Sequence, residues 1–199
     1  ERVIVLLSAG NLAVSQSVAG LLRERVTSAK GSLLTARTMA DAARLVGDAE
    51  RDVFHRDAQP LKEHGIEFNP TFIIGGQIGG EAQRLFHVYS AGNFIETTPD
   101  TRYFQIGESK YGKPIIDRVV TRSSSLAQAA KCALVSMDST IRSNLSVGPP
   151  LDLAIVRRDE FKLATHISID NDNDYFKMIR TRWGYALQEV FAELPNPNW

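Results

Sequence analysis

The runs Phe72-Ile73-Ile74 and Leu85-Phe86-His87-Val88-Tyr89, with Gly75-Gly76-Gln77-Ile78-Gly79-Gly80 between them, decide the fold. Both runs are rich in β-branched and aromatic residues and read as strands, and the glycine-rich segment reads as the turn of a hairpin. Ala91-Gly92-Asn93 turns the chain again. A second pair of the same kind, Leu151 to Val156 and Phe161 to His166, flanks a charged turn at Arg157 to Glu160. Strands that follow one another across a short turn pair antiparallel, so a doubly wound parallel sheet is disfavoured.

Working outward, Val3-Ile4-Val5-Leu6-Leu7 is a buried strand. Its five apolar residues fall short of the ~7–15 of a secretory core or the ~20 of a membrane span. After Ala9-Gly10-Asn11, the spacing of Leu12, Val18, Leu21, Leu22 and Val26 predicts a helix. A second helix begins at the capping signal Thr38-x-x-Asp41, runs through Val46 and Val53, and is stopped by Pro60 and Gly65. Helices are also predicted over Tyr111 to Val120, Ser125 to Arg142 and Asp174 to Leu194. The order is helix pair, hairpin, helix pair, hairpin and a final helix. Amphipathic helix pairs need a sheet face to cover, which predicts an α+β domain over 1–199, two sheets between two helix layers. The chain opens directly into a strand without an initiating Met, so we expect further strands upstream of Glu1.

Lys plus Arg and Asp plus Glu number 23 each, so no net field draws the chain to nucleic acid or an anionic membrane. The single Cys132 forms no intrachain disulfide, which points to a reducing cytoplasm. His55, His64, His87 and His166 show no metal-ligand spacing. Asp170-Asn171-Asp172-Asn173-Asp174 opens like a calcium loop, but Tyr175 and Thr181 stand where Gly and Glu belong, leaving a polar turn that caps a helix. No metal or cofactor is expected. No G-x-S-x-G elbow is present, and Ser123-Ser124-Ser125 reads as a capping loop. Thr27, Thr35 and Thr38 read as loop or cap residues.

Two segments ask for more than structure. Ser8-Ala9-Gly10-Asn11 puts a strand end, a glycine and a helix start together, so backbone N–H groups face outward at the positive end of a helix dipole, as an oxyanion hole requires. A plain β-to-α turn would use the same glycine. The hydroxyl-rich run Asp138 to Gly148 crowds a helix end, where Ser and Thr compete for backbone bonds.

Leu6-Leu7-Ser8-Ala9-Gly10-Asn11, Phe104-Gln105-Ile106-Gly107-Glu108-Ser109-Lys110-Tyr111-Gly112-Lys113-Pro114 and Ser136 to Pro150 together resemble the Anbu family of bacterial proteasome-related β subunits, along almost the whole chain. The resemblance implies the four-layer αββα fold of N-terminal nucleophile hydrolases. It also implies a threonine-type peptidase whose nucleophilic threonine lies upstream of Glu1 and whose α-amino group is the base. By the same likeness Gly10 stabilises the oxyanion, and Ser8, Leu12 and Gln16 line the specificity pocket. Ser143 and Ser146 match an Asp and a Ser beside the nucleophile, and Gly107-Glu108-Ser109 matches a Gly-Ser-Gly stretch near it. Ser143 thus replaces a carboxylate, and Glu108 replaces a hydroxyl. Residues matching Thr140, Ser143 and Ser146 hold a cation in some relatives, a role not assigned to them here. The implied partners are identical subunits in a ring or spiral and a peptide or unfolded-protein substrate, with any unfoldase unidentified. A noncatalytic subunit and a small-molecule amidase of the same superfamily are the alternatives.

Overall fold

The computed structural model describes residues 1–27 and 31–199; the side chain of Thr27, read above as a loop residue, lies outside the described residues. The chain forms two compact units, Glu1–Gly107 with Val156–Ala164, and Glu108–Ile155 with Thr165–Trp199.

In the first unit β1 (Arg2–Ala9) leads into α1 (Leu12–Glu24) and a short 3-10 turn, then α2 (Met39–Glu63). The meander β2 (Thr71–Ile78), β3 (Arg84–Val88) and β4 (Phe94–Glu96) completes a four-stranded antiparallel sheet in the order β1-β2-β3-β4. Alternate residues point to one face, as a two-residue period demands. Ile4, Leu6, Phe72, Ile74, Phe86, Val88 and Phe94 thereby join Val14, Val18, Met39, Val46 and Val53 in one apolar cluster. Thr38 caps α2 as its sequence predicts, its Oγ1 accepting the Asp41 N–H at 3.0 Å.

The glycine-rich segment differs from its reading as a turn. Gly75 and Gly76 lie inside β2, opposite Val5 and Ile4 on one side and Leu85 and Arg84 on the other. A Cβ at Gly76 would stand 2.0 Å from the Val3 carbonyl oxygen, and one at Gly75 would stand 2.8 Å from the Leu85 side chain. Close strand approach is the reason for these glycines. The turn itself starts at Gly79. Pro60 does not stop α2: it sits in the last turn, where few residues remain for the kink to displace.

In the second unit α3 (Lys113–Val119) and α4 (Leu126–Ser143) precede β5 (Leu151–Val156), β6 (Leu163–Ile169) and α5 (Asp174–Glu193). Ser125 and Gln128 form a reciprocal capping box at the start of α4. Leu134, Val135, Leu151, Ile169, Phe176 and Ile179 make a smaller core. β6 starts two residues later than the sequence suggests, because Asp159 and Phe161 both take positive φ in the turn, at 62° and 48°. The tip of this hairpin belongs to the first unit. There buried Gln77 of β2 donates to Asp159 Oδ1 at 2.6 Å and accepts the Asp159 N–H at 2.8 Å.

Candidate functional site

The β1–α1 turn is built around Gly10, whose φ is +95°. Asn11 caps α1 by accepting the Val14 N–H at 3.2 Å, and its own N–H donates to Asn69 Oδ1 at 3.0 Å. A Cβ on Gly10 would stand 2.1 Å from the Asn69 carbonyl oxygen. Glycine is therefore required sterically as well as conformationally. Among the described residues no hydrogen bond engages the Gly10 amide. Ser8 and Gln16 are exposed and Leu12 is 69% exposed. Leu12 and Gln16, one helical turn apart, share the solvent face of α1. An apolar side chain left in water beside an unengaged backbone donor is an arrangement that can bind a peptide chain.

In the second unit the structure ties Glu108 to Ser146 through Asn144, which follows the last residue of α4. Asn144 Nδ2 donates to Glu108 Oε2 at 3.2 Å. Its Oδ1 accepts both the backbone N–H and the hydroxyl of Ser146, at 2.9 and 2.6 Å. The other Glu108 oxygen accepts the Lys110 N–H at 3.0 Å. Ser109 enters through its carbonyl, which accepts the Lys113 N–H at 3.0 Å. Ser143 stands exposed at the end of α4, outside this network. Asn144 was missed in the sequence because its type is common at helix ends, where the cap reading suffices.

The end of α4 is held by Asp138, whose buried carboxylate faces Arg142 of its own helix at 3.3 Å and Arg180 of α5 at 3.2 Å. Cys132 is buried, and burial pushes its thiol above the usual range, so it is no nucleophile at neutral pH. Thr38 is spent on the α2 cap and Thr35 on a turn, where its hydroxyl accepts the Ser32 N–H at 2.9 Å. No group of three or more His, Cys, Asp and Glu side chains gathers as a metal site among the described residues. None of the described helices is long and apolar enough to cross a membrane.

Solved structures share this architecture along the full chain. Anbu (ancestral beta-subunit) from Yersinia bercovieri is 50% identical, with all of this chain and 83% of that one covered and a TM-score of 0.92. The chain belongs to the Anbu family. The helical assembly of the Anbu complex from Pseudomonas aeruginosa matches at 46% identity and a TM-score of 0.94, over 100% of this chain and 82% of that chain. An Anbu (Gly-1) mutant from Hyphomicrobium sp. strain MC1 matches at 48% identity and 0.92, with the same coverage. No family model matches the sequence, and no curated protein does. The mixed α/β fold with two antiparallel sheets is thus the proteasome-like fold of Anbu.

Proposed function

We propose that this Anbu chain is a subunit of a self-compartmentalising threonine peptidase that cleaves peptide or amide bonds. Its nucleophile is the hydroxyl of a mature N-terminal threonine preceding residue 1. That oxygen attacks the carbonyl carbon while its proton passes to the threonine's α-amino group. The C–N bond then breaks, the amine leaves with the proton, and water hydrolyses the ester left on the threonine.

The observation that carries this reading is the Gly10 turn: a backbone donor held at a fixed φ, free of any hydrogen bond among the described residues, beside exposed Ser8, Leu12 and Gln16. Gly10 supplies the N–H that stabilises the oxyanion, a role worth about 10²–10³ in rate. Ser8, Leu12 and Gln16 shape the pocket, and Glu108, Ser109, Ser143 and Ser146 support the nucleophile. The subunits assemble with one another in the cytoplasm as a ring or spiral. The Pseudomonas relative, solved as a helical assembly, supports this, as do the exposed Tyr185, Leu187, Val190 and Phe191 of α5. The substrate is a peptide or an unfolded protein.

A fluorogenic peptide tests the reading on the natural full-length chain: replacing the first mature threonine by alanine abolishes hydrolysis. Full activity in that variant overturns the threonine mechanism. Ser143, standing where the family's carboxylate belongs, favours a second reading as a noncatalytic assembly subunit. An intact protein that hydrolyses no tested peptide selects it, and a strictly monomeric species by light scattering counts against both.

A further inference from the structure

We infer that Asn144 is a positioning residue, the hub of a relay Glu108–Asn144–Ser146 that turns the Ser146 hydroxyl into a hydrogen-bond acceptor for the nucleophile's amine. This rests on the peptidase reading, and it gives the carboxylate support lost at position 143 a different route. The polarity of the relay is set by one group with no choice. The Ser146 backbone N–H can only donate, and it lies 2.9 Å from Asn144 Oδ1. The amide oxygen must therefore face Ser146. That leaves Nδ2 on the opposite side, donating to Glu108 Oε2 at 3.2 Å. A flipped amide would set donor against donor at Ser146 and acceptor against acceptor at Glu108.

The Ser146 hydroxyl then has its proton committed. Its Oγ lies 2.6 Å from the same Asn144 Oδ1 and donates to it, so the remaining lone pairs are offered to whatever stands in front of the serine. An acceptor in that place suits an N–H donor, as an α-amino group is whether neutral or protonated. The hub is itself fixed. The Asn144 N–H bonds the Thr140 carbonyl at 2.9 Å, and its carbonyl accepts the Val147 N–H at 3.2 Å. The Thr140 hydroxyl in turn bonds the Ser136 carbonyl at 2.9 Å inside α4. Glu108 is held from behind by the Lys110 N–H. Asn144 has a fixed backbone, two opposite polar faces and partners that each demand one polarity.

Swapping the polarity of the amide face toward Glu108 is the sharpest test. Asn144→Asp in the natural full-length chain keeps the acceptor for Ser146 but sets a carboxylate against Glu108. It lowers kcat on a fluorogenic peptide about 10²-fold with KM unchanged, because the serine faces the nucleophile's amine. Adding Glu108→Gln restores a donor facing the introduced carboxylate and recovers most of the loss. Wild-type kcat in Asn144→Asp, or no recovery in the double variant, overturns the relay. Amide hydrogen exchange at Ser146 separates this from a failure of the peptidase reading. Should the wild-type chain hydrolyse nothing, that reading falls, and protection of the Ser146 N–H that is lost in Asn144→Ala still upholds the hub. Equal exchange in the two proteins overturns it whatever the activity.

Discussion

The two units bury their apolar residues differently. In the first, α1 and α2 cover one face of the sheet so completely that Val18, Met39, Val46, Ile74 and Val88 have no exposure at all. In the second, α5 buries only Phe176 and Ile179, while Tyr185, Leu187, Val190 and Phe191 stand in solvent. The first unit's helices close its core, whereas the second leaves much of the apolar surface of α5 uncovered. The units should therefore respond differently to truncation of a large side chain. Phe86→Ala, 1% exposed in the first core, should cost about 3–5 kcal/mol in denaturant unfolding. A loss below about 1 kcal/mol would mean that this core is far looser than its burial implies.

A smaller effect is expected at Gly10. Alanine there must adopt a φ of +95° and meet the Asn69 carbonyl. The strained backbone alone costs about 1–3 kcal/mol by thermal unfolding. This sharpens the reading of activity data, because a Gly10 variant that loses turnover must first be shown to be folded. An unchanged Tm would show that the turn relaxes without cost.

How legible each part was follows from where its physics is written. β1, α1, α2 and α4 carry an apolar period or a cap, and both signals are local. β4 is only three residues long and was missed. Gly75 and Gly76 misled because a glycine that allows close strand approach is indistinguishable in sequence from one that makes a turn; the deciding neighbours, Val3 and Leu85, lie elsewhere in the chain. The site divides likewise. The Gly10 turn is contiguous and readable, whereas the Glu108–Asn144–Ser146 network joins residues 36 apart, which no spacing rule anticipates.

The first core also hides a titratable group. Glu50 of α2 is fully buried, and among the described residues neither of its carboxyl oxygens has a hydrogen-bond partner. Burial pushes its pKa up from 4.5 to about 8. The folded state then holds a proton that the unfolded chain has released, so stability is fully present below about pH 4.5 and falls as pH rises toward 8. The slope is about 1 kcal/mol per pH unit within that window, and Glu50→Gln removes it. A wild-type unfolding midpoint flat from pH 5 to 8 in ~pH-unit steps would contradict the buried, unpartnered carboxylate. The smallest effect belongs to the second unit. Phe191→Ala, at a side chain 77% exposed, should change the stability of the dissociated chain by less than about 0.5 kcal/mol.

The proposed nucleophile lies on a threonine preceding residue 1, with residues 1–199 binding and supporting. An electrophilic peptide probe that forms a covalent bond with an activated hydroxyl, incubated with the natural full-length chain and followed by peptide mapping, tests it directly. One adduct is expected, on the N-terminal threonine of the mature chain. An adduct on Ser109, Ser143, Ser146 or any other residue within 1–199, with the N-terminal threonine unmodified, would contradict it.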